Sequence, residues 1–118
     1  MDLTQKNAVN ALFGFYGALL TEKQQRYLQY YFEDDLTLPE IAEEEGISRQ
    51  AVSDNLKRSI DALAHYEAVL HLQAEFLARR ELAIDLQNYA QMTYPSDTDL
   101  TKKIQALLQR DLLENEED

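Results

Sequence analysis

The stretch Leu36–Arg58, LTLPEIAEEEGISRQAVSDNLKR, constrains the fold more than any other part of the chain. Thr37 and Glu40 have the spacing of a capping box, in which the threonine oxygen accepts from the Glu40 amide and the Glu40 side chain reaches back. Ser48 is a second N-cap, ahead of Arg49-Gln50-Ala51-Val52. Between them Glu43-Glu44-Glu45-Gly46 stops the first helix, because glycine enters the left-handed C-cap conformation at little cost. Two capped helices joined by a tight, glycine-bearing turn are the sequence form of a helix-turn-helix.

The rest of the composition fits an all-α fold. Alanine, leucine, glutamate and glutamine dominate 118 residues that hold three glycines and two prolines. That length suits one domain with an appendage. The spacing predicts a helical helix-turn-helix domain over residues 1–65. It predicts a long-helix extension and a C-terminal helix over residues 66–118, packing on the core or self-associating. The absence of cysteine excludes disulfides and thiolate zinc sites, in keeping with a reducing compartment. The first twenty residues lack the basic segment of a signal peptide, and no window approaches the roughly 18 apolar residues of a membrane span. The expected location is therefore cytoplasmic.

A net charge of −11 sets the long-range field against phosphate, since nucleic-acid binding works through cation neutralisation and counterion release. Residues 21–65 hold ten acids and five bases, and residues 66–118 eleven acids and five bases. Neither part is basic.

Along the chain, Val9, Leu12, Phe13, Tyr16, Leu19 and Leu20 predict a first helix from Leu3 to Leu19. Gly14 and Gly17 inside it read as points where a neighbouring helix approaches closely. Thr21 caps a second helix, Glu22 to Glu33, burying Tyr27, Leu28, Tyr31 and Phe32. In the motif, Leu38, Ile41 and Ala42 face inward while Glu40, Glu43 and Glu44 face out. Val52, Leu56, Ile60 and Leu63 form the buried stripe of the next helix. No glycine or proline occurs from Ser59 to Gln91, and Leu63, Tyr66, Leu70, Leu77 and Ile84 continue a seam at multiples of about 3.5 residues. This predicts one long helix, either unbroken or bent where Leu72-Gln73 changes the pattern. Its stripe calls for docking of the last helix, self-association, or both. Tyr94-Pro95-Ser96-Asp97 is a turn with an N-cap, and Leu100, Ile104, Leu107, Leu108 and Leu112 mark one face of a helix from Thr98 to about Leu113. Glu114 to Asp118 is an acidic tail.

No catalytic constellation is present: the sequence holds no phosphate-binding glycine loop, nucleophile elbow or HExxH pattern, and no cofactor is implied. Asp61/His65 and Glu67/His71 are i,i+4 pairs. The two histidines, however, lie about 120° apart around a helix, which suits surface pairing better than a shared metal. The candidate binding surface is the second motif helix, with Ser48, Arg49, Gln50, Ser53, Asp54, Lys57 and Arg58. Arg49, Gln50 and Lys57 have the chemistry for base edges and phosphates. Asp54 and Asp61 share that face and oppose phosphate unless they pair with Lys57 and Arg58.

Phe13-Gly14-Phe15-Tyr16, Leu19-Leu20-Thr21-Glu22-Lys23-Gln24, Tyr30-Tyr31, Glu33-Asp34-Asp35-Leu36, Glu40-Ile41-Ala42-Glu43 and Ser48-Arg49-Gln50-Ala51-Val52 together resemble the YlxM family of small bacterial proteins. Asp54-Asn55-Leu56-Lys57-Arg58 and Tyr66-Glu67 also fit, so the resemblance spans about Leu3 to Leu72. The resemblance implies a helix arrangement similar to the promoter-reading C-terminal region 4 of sigma factors. It also implies a role in co-translational targeting, because the family's genes adjoin those of the signal recognition particle GTPase or its receptor. No catalytic residues carry over. Departures are Glu45 and Asn55, where a sigma-like motif places apolar residues, and Ser53, where relatives carry tyrosine.

Three functions are compatible with these features. The first is a non-enzymatic accessory of the signal recognition particle that binds its protein or RNA component. The second is a DNA-binding regulator using Ser48 to Arg58, dimerising through the Leu63–Ile84 helix. In the third, the motif is a structural core and the C-terminal helices are an oligomerisation device. The chain is expected to be a homo-oligomer.

Overall fold

The computed structural model describes residues 3–116, with side chains through residue 110, and every regular element in it is helical. Helix α1 spans Leu3–Tyr16, α2 Glu22–Leu28, α3 Leu38–Glu45, α4 Arg49–Leu70, α5 Leu72–Thr93 and α6 Thr98–Glu116. The contacts divide the chain into two compact units on either side of the Leu70–His71 junction.

In the first unit α1, α2 and α3 pack against α4. Tyr16, Tyr27, Leu28, Ile41, Val52 and Leu63 are essentially inaccessible to solvent, and Val9, Leu20, Phe32, Ala42 and Leu56 complete the core. Two polar groups are taken inside with partners. The Tyr16 hydroxyl donates to Glu67 Oε1 at 2.5 Å. The Ser59 hydroxyl donates to the Asn55 carbonyl one turn back at 2.8 Å. Tyr16 also stacks on Tyr66, with ring centroids 5.9 Å apart, so α1 is tied to α4 beyond the motif. Glu67 thus serves the core rather than a surface pair with His71.

The caps read from the sequence form as expected. Thr21 and Gln24 make one capping box, and Thr37 and Glu40 another. The Ala51 amide donates to Ser48 Oγ at 3.1 Å, and the Leu100 amide to Asp97 Oδ1 at 3.0 Å.

Several expectations need correction. The first helix ends at Tyr16 and tightens into a 3-10 turn, Gly17–Leu19, which leaves Leu19 55% exposed. No neighbouring helix approaches Gly14 closely, and the Phe13 ring lies nearest to the buried Gly17. A Cβ on Gly14 would meet nothing within 4 Å, and one on Gly17 would meet the Phe13 ring of the preceding turn at 3.1 Å. The second helix widens after Leu28 into a π turn, Gln29–Glu33, closed by the Asp34 amide on the Gln29 carbonyl at 3.0 Å. The extra residue in that turn carries Tyr31 out of the core to a half-buried position, where the Lys6 ammonium sits 4.9 Å from its ring centroid.

Of the two forms expected, the unbroken helix is ruled out; the interruption falls beside Leu72-Gln73, where the pattern changes, as a break rather than a bend. His71 adopts a left-handed backbone, φ 57° and ψ 26°, and α5 starts afresh at Leu72. The predicted seam fails with it: Leu63 is buried, whereas Leu70, Leu77 and Ile84 are 48%, 56% and 38% exposed. The buried residues of α5 are Ala83 and Ala90, and among the described side chains of α6 Ile104 is buried. Twenty residues at 100° each would set Leu63 and Ala83 about 200° apart on one continuous helix, so no single helix serves both seams. In the second unit α6 docks on α5 as an αα-hairpin. There Leu107 is 51% exposed and Leu100 and Leu108 are half-buried. The side chain of Leu112 and the tail from Glu114 lie outside the described side chains.

Candidate functional site

The site is built on the turn between α3 and α4. Gly46 sits at φ 68°, ψ 35°, and the Ile47 amide reaches back to the Ala42 carbonyl at 3.1 Å, the ring closure of a Schellman motif. Ile47, half-buried, anchors the turn beneath Ser48. The C-terminal end of α3 is clamped from the side: Arg26 Nε and Nη2 of α2 donate to the two oxygens of Glu45 at 2.5 and 3.2 Å. This hydrogen-bonded pair holds the Glu45 carboxyl below its ordinary range and the Arg26 guanidinium above its own. The acid at a position where a sigma-like motif places an apolar residue is therefore a fixed structural partner.

Ser48 caps α4, and Arg49, Gln50, Asp54, Lys57 and Arg58 are exposed along its first three turns. Gln50, Asp54, Lys57 and Asp61 form one stripe. Arg49 and Arg58 fall on opposite sides of it, roughly 100° and 80° away from Gln50, so the two guanidinium groups do not converge. Asp54 accepts from Gln50 Nε2 at 3.0 Å. Ion pairs join Lys6 to Asp35 and Arg26 to Glu45, and none joins Asp54 or Asp61 to Lys57 or Arg58. Carboxylates stay in the middle of the outward face.

The other helix of the motif is more acidic still. Glu40, Glu43 and Glu44 are all exposed on α3, and Glu33, Asp34 and Asp35 are exposed in the segment leading to it. The Glu40 carboxyl accepts from the Thr37 amide at 3.0 Å, which holds it below the ordinary range, while the Glu40 amide donates to Thr37 Oγ1 at 3.3 Å.

A helix-turn-helix of this geometry has a counterpart among known sequences. The family model described as "Putative helix-turn-helix protein, YlxM / p13 like", UPF0122, matches residues 3–109. The chain belongs to the UPF0122 family. A UPF0122 protein of Latilactobacillus sakei subsp. sakei (strain 23K) is 49% identical over 108 residues, covering 92% of this chain and 96% of its own. One from Streptococcus equi subsp. zooepidemicus (strain MGCS10565) is 47% identical over 107 residues, 91% of each chain. One from Limosilactobacillus fermentum (strain NBRC 3956 / LMG 18251) is 48% identical over 107 residues, 91% of this chain and 95% of its own. The matches run well beyond Leu72, so UPF0122 kinship extends into the hairpin of α5 and α6.

One predicted site residue of this UPF0122 chain behaves differently from the others. Ser53 is half-buried and turns from the stripe toward an open groove of about 250 Å³, lined by Tyr31, Leu38, Ser53, Leu56, Lys57 and Ile60. Sequence reasoning assigned Tyr31 and Leu56 to the core and missed this groove. Its signal was weak: it depends on the π turn Gln29–Glu33, which no residue of that stretch announces. Among the described residues no three histidine, aspartate or glutamate side chains are placed to hold a metal ion, and no helix is long and apolar enough to cross a membrane.

Proposed function

We propose that this helix-turn-helix protein is a non-enzymatic accessory of the signal recognition particle pathway that binds the particle's protein or RNA component. The observation that carries the reading is the charge on both helices of the motif. In DNA-reading motifs the first helix crosses the phosphate backbone while the second enters the major groove. Here the first presents Glu40, Glu43 and Glu44, and the second keeps Asp54 and Asp61 between its cations. Such a surface repels phosphate and complements a basic protein surface, such as an RNA-binding protein offers. The pathway itself comes from kinship with the YlxM proteins. Of the two components, the charge favours the protein over its RNA.

The second reading, a DNA-binding regulator, draws on the exposed Arg49, Gln50, Lys57 and Arg58 of α4. Three titrations of the purified chain separate the readings: with the particle protein, with its RNA, and with random duplex DNA at low salt. We expect a complex with the protein that weakens as salt rises and no measurable affinity for the duplex. Duplex binding whose affinity falls steeply with salt would favour the regulator, and indifference to both particle components would overturn the proposal.

A further inference from the structure

Among the described residues the hairpin formed by α5 and α6 has little interior of its own. Its buried residues among those described are Ala83, Ala90 and Ile104, two of them alanines. Beside that seam runs a row of exposed apolar side chains. Leu82 and Leu86 of α5 and Leu107 of α6 line one open groove with Ala83 and Arg79, about 250 Å³ in volume. Leu82 is 69%, Leu86 46% and Leu107 51% exposed, and Tyr89, one turn along the same face, is 59% exposed. Positions 82, 86 and 89 have the i, i+4, i+7 spacing of a helix that expects a partner.

These four side chains leave roughly 400–500 Å² in water, the size of the largest apolar patch on a typical monomer. That is about half of the ~800 Å² per partner of a standard interface, the rest falling to the rim around it. Two αα-hairpins meeting face to face give a four-helix bundle, the simplest arrangement that supplies each of them with a core. A two-fold axis is satisfied by a single face that complements itself. If that axis passes between Leu82 and Leu86, Leu82 of each copy faces Leu86 of the other, an apolar contact made twice.

We infer that the α5–α6 face carrying Leu82, Leu86, Tyr89 and Leu107 is a homodimer interface, occupied by the same face of a second copy of this chain. It does not involve the Leu63–Ile84 seam, whose first residue is buried in the other unit. It is also independent of the function proposed above, and salt separates the two. Residues 71–118 hold ten acids and five bases, so apposed hairpins repel through charge and the dimer tightens as salt rises. A complex with a basic partner loosens under the same change.

Sedimentation velocity of the full chain over the micromolar range, at low and high sodium chloride, provides the test. The expected result is a species of twice the 13.7 kDa chain mass, more populated at high salt. Leu82→Glu and Leu86→Glu each raise the dimer dissociation constant by about tenfold or more while far-ultraviolet circular dichroism stays helical. Leu77→Glu, equally exposed but on another side of α5, leaves the mass doubled. A chain that stays at monomer mass throughout overturns the inference and leaves the face to a different protein or to the rest of the same chain. Dissociation by Leu77→Glu to the same extent as by Leu82→Glu would place the interface elsewhere.

Discussion

At the scale of single residues, backbone conformation decides which substitutions are costly. Gly46 holds φ 68° in open space, so Gly46→Ala meets no clash and strains only the backbone. We expect a loss of about 1 kcal/mol or more in urea unfolding. Gly14 has equal room but lies inside α1 at an ordinary helical φ, so Gly14→Ala should stabilise by about 0.5–1 kcal/mol in the same assay. The two glycines look alike in the sequence. The stop signal before Gly46 and the cap after it made its role legible, whereas nothing local revealed that Gly14 has empty space beside it. His71 is the converse: no breaker residue marks it, yet its left-handed backbone ends α4.

At the scale of elements, caps were legible because each depends on residues three apart, and Thr21, Thr37, Ser48 and Asp97 all perform as read. Pairings between elements were not. Arg26 and Glu45 are far apart in sequence, and only the packing of α2 beside the end of α3 joins them. Their bond gives a pH signature. Glu45 titrates below an unfolded glutamate, so its contribution is complete above the ordinary carboxylate range near pH 4.3 and lost as pH falls through the depressed folded value. Glu40 titrates in the same direction. Thermal melts from pH 6 to pH 3 should therefore show a fall that shallows in Glu45→Gln, and Glu40→Gln should shallow it by removing the titrating carboxyl while keeping the capping box, as Gln24 does at Thr21. A variant profile parallel to that of the parent would remove the ion pair from the acid response. The α5–α6 seam escaped sequence reading for a different reason. Alanine adds almost nothing to an apolar count, so Ala83 and Ala90 were outweighed by the heptad of leucines that the structure leaves exposed.

At the scale of the molecule, the two units differ in how much core they own. Among the described residues the first buries eleven hydrophobic residues in one cluster, the second Ala83, Ala90 and Ile104. A fragment ending at Leu70 should therefore keep its helicity and melt cooperatively, and Leu63→Ala should cost it about 2–5 kcal/mol. A fragment of the hairpin alone should be marginal at low concentration. Failure of the first fragment to fold would mean that the helix-turn-helix depends on the α5–α6 hairpin for its stability.

The left-handed residue between α4 and α5 has a further consequence for motion. It separates two hydrogen-bond ladders that one unbroken helix would have shared, since α5 begins with its own bond from the Glu75 amide to the His71 carbonyl at 2.9 Å. Opening that starts in one helix has no continuous backbone ladder along which to spread into the other. In native-state hydrogen exchange the chain should resolve into two foldons. Amides from Val52 to Glu67 should exchange together and slowly, through unfolding of the first unit. Those of α5 should form a faster group whose protection rises with protein concentration.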